Sequence, residues 1–243
     1  MEGLRRLAAW AAHWLFPQTC AHCREDLPRE EDAPLCARCR QGLRLCAPPF
    51  CLRCAEPVCG GRAYCTACLG RSFACPLVRA AFLYRGPAPA LVRAFKYRGR
   101  REAARAAGRW MACLLPGFPE LSGHDALVPV PLHPRRLRER GYNQARLLAE
   151  ELGRLSGLPV LDLLERARPT RPQWDLGRQS RRANLAGAFQ ASPRARGSSV
   201  LLIDDVCTSG ASLEECARAL LRAGASRVAA YVLARQTLRP VNS

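Results

Sequence analysis

The stretch VLLIDDVCTSGAS, Val200 to Ser212, decides the fold. It begins with four apolar residues, typical of a buried strand, and two adjacent carboxylates, Asp204 and Asp205, follow at once. Burying an unpaired charge costs on the order of several kcal/mol, so packing alone does not explain these two acids. We therefore expect Asp204 and Asp205 to meet a ligand at the end of the strand.

The loop after the acid pair is rich in hydroxyl groups and contains a glycine that permits a tight turn, and a helix is predicted to begin at about Ser212. Successive backbone amides at a helix N-terminus bind anions. Carboxylates on one side and an anion site on the other suit a sugar phosphate. The predicted phosphate-binding residues are Thr208, Ser209, Gly210, Ala211 and Ser212.

Two other interpretations of this stretch were weighed. A P-loop ATPase needs the pattern G-x-x-x-x-G-K-[ST], but the single lysine of the chain, Lys96, lies in AFKYRG and follows no such loop. A strand that ends in two solvated acids explains neither the hydroxyl-rich loop nor the charge of the chain. The sugar-phosphate interpretation is therefore favoured.

Strands and helices alternate from Val78 onward. Strands are predicted at 78–84, 126–132, 160–164, 200–204 and 227–234, and helices at 88–97, 101–115, 142–157 and 212–224. This alternation predicts an α/β fold, a mostly parallel sheet with helices on both faces. Ligands of such sheets bind beyond the carboxyl ends of the strands, where the acid pair is placed.

Cysteine usage divides the chain, because 11 of the 14 cysteines lie between Cys20 and Cys75. Four C-x2-C pairs are typical of two four-cysteine zinc sites and not of a disulfide framework. The predicted zinc ligands are Cys20, Cys23, Cys36, Cys39, Cys51, Cys54, Cys65 and Cys68. Sequential pairing of neighbouring pairs is favoured because the connecting loops are short, and interleaved pairing stays open. Cys46, Cys59 and Cys75 are left over, and Cys59 is an alternative ligand for the second site.

Three regions follow from these patterns: a short amphipathic helix at 1–19, a double zinc ribbon at 20–75 and an α/β domain at 76–243. The apolar N-terminal run is too short to span a bilayer and lacks a cleavage site for secretion, so we expect a cytoplasmic protein with no integral membrane segment.

The net charge of +18 is concentrated in the α/β domain, since residues 76–243 carry 28 basic and 13 acidic residues. Such a charge predicts a polyanionic ligand or partner. Two arginine-rich segments, 133–146 and 166–182, are suited to phosphate groups because arginine pairs bidentately with phosphate oxygens.

VLLIDDVCTSGAS resembles the phosphoribosyl-pyrophosphate motif of type I phosphoribosyltransferases. Together with the cysteine-rich start, the phrases AFKYRG, VPVPLHPRRLRERGYNQA and QWDLGRQSRRANLAGAF identify the chain as resembling the ComF family of competence-associated proteins, from about Phe16 to Gln236. The resemblance implies a double zinc ribbon followed by a type I phosphoribosyltransferase domain, and a link to DNA uptake in natural transformation.

The resemblance also implies roles for individual residues. Asp204 and Asp205 would hold the ribose hydroxyls with Mg2+ nearby, and residues 208–212 would hold the 5′-phosphate. Residues 131–136 resemble the pyrophosphate loop, and residues 173–184 resemble the mobile loop that closes over the substrate. The arginines predicted to contact the substrate are Arg135, Arg136, Arg140 and Arg182.

Base selection is the weak point of a transferase interpretation, because the chain ends soon after the last strand and only the zinc domain is left to form a hood. The alternative is a protein without catalysis that senses phosphoribosyl pyrophosphate or binds single-stranded DNA, with DNA-uptake machinery as a partner. Trp174 and Tyr142, set among arginines, are the candidate base-stacking residues.

Overall fold

The structure is a computed structural model, and it describes residues 18–27, 33–97, 99–166 and 185–237. The predicted N-terminal helix lies almost wholly outside these ranges. Arg182, Trp174 and the segment 173–184 also lie outside the described residues, so their predicted roles stay predictions.

Six strands are found among the described residues: β1 (Val78–Leu83), β2 (Ala126–Pro129), β3 (Leu164–Arg166), β4 (Phe189–Ala191), β5 (Ser199–Cys207) and β6 (Arg227–Arg235). Four of them form a parallel sheet in the order β1-β6-β5-β2, in which Leu202 of β5 pairs with Val128 on one side and with Ala230 on the other. β3 and β4 form a separate antiparallel pair. The predicted parallel sheet is confirmed.

The described α-helices are α1 (Ala37–Gln41), α2 (Ala88–Tyr97), α3 (Arg101–Leu114), α4 (Pro134–Arg140), α5 (Gln144–Ser156) and α6 (Ala211–Arg222). Single 3-10 turns lie at Leu115–Gly117, Pro119–Leu121 and Pro193–Ala195. Helix α5 illustrates how local sequence sets these bounds. The side chain of Asn143 accepts a hydrogen bond from the Ala145 amide at its start, and Gly157, with φ +76°, ends it.

The two faces of the sheet carry separate apolar cores. Leu201 and Ile203 of β5 pack in one core with residues of α2, α3 and α5. Val200 and Leu202, which point the opposite way, pack in the other with residues of α6 and of the β3–β4 pair. Helices on both faces were predicted, and this arrangement confirms them.

Three details differ from the predicted elements. β5 does not end at Asp204 but continues to Cys207, because its last residues still pair with Ala234 and Arg235 of β6. The strand predicted at 160–164 is reduced to one bridge between Val160 and Leu127, and the chain forms β3 just after it. The segment predicted as the pyrophosphate loop, residues 131–136, runs into the short helix α4, which begins at Pro134.

The cysteine-rich part precedes the sheet and packs on it. Cys20, Leu27 and Leu35 of the first ribbon belong to the same core as α2 and α3, and the Val78 amide at the start of β1 donates to the Arg53 carbonyl (2.7 Å) in the second ribbon. Within the described ranges, no helix has the length and apolar character that crossing a membrane requires.

Candidate functional site

A cavity of about 580 Å³ opens at the carboxyl ends of the parallel strands. Its described lining residues all lie between Tyr84 and Gln236, so no described residue of the zinc ribbons contributes a wall. The predicted site residues found in its lining are Asp204, Asp205, Thr208, Ser209, Gly210, Ala211, Ser212, Arg135, Arg136 and Arg140. The structure thus brings two distant segments of the sequence to one cavity.

The two acids of the motif point to opposite faces of the sheet, because both lie on β5. Asp205 is 7 % exposed, and its Oδ1 accepts a hydrogen bond from Nζ of Lys96 at the end of α2 (2.7 Å). Burial alone would lower the pKa of Lys96, but the charge of Asp205 outweighs it and raises that pKa above its usual value. Lys96 and Asp205 therefore form an ion pair at the floor of the cavity.

Asp204 lies in a different electrostatic setting. Burial, followed by the nearby charge of Asp205, raises its pKa to about 7, although the positive charge of Lys96 acts in the opposite direction. Its Oδ1 accepts a hydrogen bond from the Asp205 amide (2.8 Å). A carboxyl group with this pKa gains or loses its charge readily near neutral pH, and a bound cation would favour the ionised form.

The loop at residues 207–212, in which residues 208–212 are predicted to bind phosphate and which we call the phosphate loop, turns from β5 into α6. Gly210 has φ +76°, a left-handed conformation that favours glycine, and α6 begins at the next residue. From outside the cavity, the buried Arg235 donates from Nη1 to the carbonyl oxygens of Cys207 (3.1 Å) and Thr208. These hydrogen bonds occupy the two carbonyl oxygens with a residue that does not line the cavity, whereas the first residues of α6 do line it.

Arginines line the same cavity as the phosphate loop. Arg136 and Arg140 of α4 and Arg166 at the end of β3 all contribute to the wall. The pKa of His133 is lowered by burial and then by the surrounding arginines, so this imidazole is neutral and its Nδ1 accepts from the Arg135 amide (3.2 Å). His133 caps the N-terminus of α4, and the positive charge of this part of the lining is carried by arginine.

Two lining residues were missed by sequence reasoning. Lys96 was noted only as the wrong lysine for a P-loop, although a single lysine in so basic a chain was a usable signal. Gln144, at the first turn of α5, is 1 % exposed, and its Nε2 has no hydrogen-bond partner among the described residues. A buried amide without a partner at a cavity wall is a ready donor for a ligand.

The eight predicted zinc ligands form two clusters, Cys20/Cys23/Cys36/Cys39 and Cys51/Cys54/Cys65/Cys68, in each of which all sulfurs lie within 4.8 Å of one another. The favoured sequential pairing is confirmed. In a tetrahedral site with Zn–S bonds of about 2.3 Å, the sulfurs are about 3.8 Å apart. The observed Cys23–Cys36 and Cys54–Cys65 separations of 3.6 Å and 3.8 Å fit one zinc ion in each cluster.

The cysteines outside the clusters have other settings. Cys59 is exposed and belongs to neither cluster, so the alternative that it replaces a ligand is wrong. Cys46 and Cys75 are buried, and burial raises the pKa of the Cys46 thiol to about 11. Both thiols are therefore neutral, apolar packing groups. None of the cysteines, all of which lie in the described ranges, forms a disulfide.

Tyr142 does not suit the base-stacking role proposed for it. It is 8 % exposed, its hydroxyl donates to the Phe95 carbonyl, and Arg101 covers its ring at 4.9 Å. A side chain enclosed in this way offers no free face to a nucleobase. Its position after a glycine in an arginine-rich segment suggested exposure, but the contact with α2 buries it.

Comparison with known proteins gives two family matches, one in the cysteine-rich part of the chain and one in the α/β part. The family described as "Double zinc ribbon domain" matches residues 11–69, and the family described as "Phosphoribosyl transferase domain" matches residues 139–241. The sheet with helices on both faces, preceded by the cysteine clusters, thus agrees with the predicted fold class.

Whole-chain relatives are found in several bacteria. "Competence protein F" of Haemophilus influenzae is 29% identical over 230 residues, which cover 90% of this chain and 98% of that protein. "DNA utilization protein YhgH" of Salmonella typhimurium is 30% identical over 223 residues, covering 90% and 97%. "Competence protein ComFC" of Bacillus subtilis is 30% identical over 213 residues, covering 84% and 85%.

Proposed function

The chain belongs to the ComF family, and from that premise we propose that its cavity binds phosphoribosyl pyrophosphate together with Mg2+. One observation carries the proposal: an acid pair and a loop of amides and hydroxyls at the end of β5 line one cavity of about 580 Å³ together with arginines of α4. That arrangement matches a ligand with a sugar between two phosphate-bearing ends.

Each part of the ligand has a complementary part of the cavity. The amides and hydroxyls of the phosphate loop at the start of α6 suit the 5′-phosphate. Asp204 and Asp205 are placed to accept from the ribose hydroxyls, and their carboxylate oxygens are ligands of the kind that Mg2+ takes. Arg136 and Arg140, which line the same cavity, suit the pyrophosphate. Arg182 is proposed to join them from a part of the chain that the structure does not describe.

Transfer of the phosphoribosyl group would break the bond between ribose C1 and pyrophosphate and form a bond from C1 to an acceptor. Mg2+, when bound, neutralises charge on the departing pyrophosphate. The arginines of α4 would stabilise the same charge, and the acid pair would hold the ribose in place while C1 acquires positive character. Turnover is tested by measuring pyrophosphate release with a panel of purine and pyrimidine bases.

Ligand fragments test the binding proposal. Ribose 5-phosphate and pyrophosphate should each bind weakly in the presence of Mg2+, and phosphoribosyl pyrophosphate should bind on the order of 100-fold more tightly, because one molecule engages both ends of the cavity. The affinities are measured by calorimetric titration of the zinc-loaded protein. Equal affinity for the intact ligand and for one fragment would show that only one end of the cavity binds.

Single-stranded DNA binding is a second candidate, and the surface beside the cavity favours it. Tyr97 is 73 % exposed, and the guanidinium of Arg140 lies over its ring at 5.1 Å. An exposed aromatic ring among arginines suits base stacking and phosphate contact. We expect DNA affinity to fall steeply with salt and to weaken in Tyr97→Ala. Affinity that is unchanged between low and moderate salt would contradict this role.

The relatives are named as competence and DNA utilization proteins, and their lengths are covered almost fully. This family link supports the proposal that the chain takes part in DNA uptake. A partner in the DNA-uptake machinery and a cytoplasmic location are proposed on that link, and the reduced cysteine clusters are consistent with a reducing compartment.

A further inference from the structure

The two zinc ribbons begin with the same short pattern, Cys-x2-Cys-x-Glu, at 20–25 and at 51–56. The backbone repeats as well. The Cys20 amide donates to the Glu25 carbonyl (2.8 Å), and the Cys51 amide donates to the Glu56 carbonyl (2.7 Å). The glutamates thus occupy equivalent positions, each two residues after a zinc ligand, so a difference between them reflects their surroundings.

Their surroundings differ sharply. Glu25 pairs with Arg38 of its own ribbon (2.6 Å), and both side chains are exposed to solvent by more than half. Glu56 is buried, and its Oε2 accepts from Nη2 of Arg235 (3.0 Å), a residue at the carboxyl end of β6 that is 3 % exposed. The second ribbon is therefore tied into the α/β domain by a buried ion pair that has no counterpart among the described residues of the first ribbon.

Arg235 also contacts both functional parts of the molecule. Its Nη2 lies 3.8 Å from the Cys54 sulfur, which belongs to the second cluster. Its Nη1 donates to the Cys207 carbonyl and to that of Thr208, the first residues of the phosphate loop. One rigid guanidinium thus joins a zinc ligand to the loop that is proposed to hold the 5′-phosphate.

A second clamp lies at the other end of the same loop. Glu214, in the first turn of α6, accepts from the Ala74 amide (2.8 Å), from the Cys75 amide (3.2 Å) and from Nη2 of Arg53 (3.3 Å). Arg53 lies between the ligands Cys51 and Cys54. Residues 51–56 of the second ribbon are therefore linked to both ends of the phosphate loop, through Arg235 at one end and through Glu214 at the other. None of these ribbon residues lines the cavity.

We propose that Arg235 is a positioning residue that couples the second zinc site to the phosphate loop, so that ligand binding retains zinc in the second ribbon and loss of that zinc weakens ligand binding. The coupling rests on the proposed binding of phosphoribosyl pyrophosphate. Hydrogen bonds to ligand sulfurs orient a metal site, and coupling between two sites is reciprocal. The first ribbon, whose described residues show no such link, should not respond.

The test follows zinc loss at each cluster separately. The holoprotein is exposed to a zinc-selective chelator and pulsed with an alkylating reagent, with and without phosphoribosyl pyrophosphate and Mg2+, and peptide mapping by mass spectrometry reads each cysteine. The ligand should slow alkylation of Cys51, Cys54, Cys65 and Cys68 on the order of tenfold. Alkylation of Cys20, Cys23, Cys36 and Cys39 should change less than about twofold.

The repeated glutamates provide matched variants. Glu56→Gln removes the charge that holds Arg235 to the second ribbon, and it should abolish most of the ligand protection. Glu25→Gln makes the same change in the first ribbon and should leave the protection intact. Circular dichroism and zinc content check that each variant is folded. If a variant does not fold, the wild-type comparison of the two clusters still tests the coupling.

The outcomes separate the coupling from the function on which it rests. Calorimetric binding of phosphoribosyl pyrophosphate with unchanged alkylation of both clusters would overturn the coupling alone. Equal slowing of both clusters would also overturn it, because general stabilisation of the fold needs no link through Arg235. Absence of ligand binding to the folded, zinc-loaded protein would overturn the proposed function and the coupling with it.

Discussion

Lys96 Nζ lies 2.7 Å from Asp205 Oδ1, so the single lysine of the chain neutralises one of the two acids of the phosphate-loop motif. The pair joins the end of α2 to β5 across 109 positions of sequence. Asp205 is paired with Lys96, whereas burial and the charge of Asp205 raise the pKa of the neighbouring Asp204 to about 7. The two acids therefore lie in different electrostatic settings.

Lys96→Met should destabilise the ligand-free protein, because it leaves the nearly buried Asp205 without its partner. We expect a loss of about 2 kcal/mol in the free energy of unfolding, measured by urea denaturation. In an Asp205→Asn background the same substitution should cost less than about 1 kcal/mol, since no charge is left unpaired. Equal costs in the two backgrounds would show that the pair contributes no coupling energy.

Asp204 should make stability depend on pH. Its pKa is raised in the folded protein from 3.8 to about 7, so folding favours the protonated form. The stabilisation is complete at acid pH and is lost as the pH rises through about 7. Between pH 5 and pH 8, in the absence of Mg2+, wild type should lose about 2–3 kcal/mol relative to Asp204→Asn, measured by urea denaturation. A difference that stays constant over this range would contradict the raised pKa.

Zinc content should follow the two clusters. The purified protein should hold two zinc ions per chain by atomic absorption, because each cluster supplies four sulfurs. Cys68→Ser should remove the zinc of the second cluster and leave about one ion. Cys59→Ser is the control, since Cys59 is exposed and outside both clusters, and it should leave two. Loss of zinc in the control variant would assign Cys59 a ligand role after all.

The arginines of α4 should divide by the direction in which they point. Arg136 lines the cavity, whereas Arg138 is exposed and does not. Arg136→Ala should weaken binding of phosphoribosyl pyrophosphate about tenfold, because a charged hydrogen bond to phosphate is lost. Arg138→Ala removes the same charge from the same helix and should change affinity less than about twofold. Comparable losses would indicate a general effect of surface charge and not a contact in the cavity.

Local sequence predicted the parts of the molecule whose structure is locally determined. The apolar run of β5, Gly210 at the turn and the amphipathic pattern of α6 place the acid pair and the phosphate loop without any tertiary information. Short loops between C-x2-C pairs likewise favoured sequential pairing, which the clusters confirm. These features depend on residues that are close to one another in the sequence.

Features that depend on distant contacts were not predictable in this way. The ion pair of Glu56 with Arg235 joins residues that are 179 positions apart in the sequence. The charge of Arg235 at the end of an apolar strand gave only a weak hint of this pair. Helix α4 has seven residues and no apolar periodicity, so its sequence resembled a charged loop. Tyr142 looked exposed among arginines, but the packing of α2 encloses it.

Above all, we propose that the acid pair and the phosphate loop bind phosphoribosyl pyrophosphate with Mg2+. The most direct test is calorimetric titration of this ligand into the zinc-loaded protein, beside the double variant Asp204→Asn, Asp205→Asn. Saturable one-to-one binding to wild type that requires Mg2+ and is lost in the folded double variant is the predicted result. Absence of binding to folded wild type, or equal binding to the double variant, would contradict the claim.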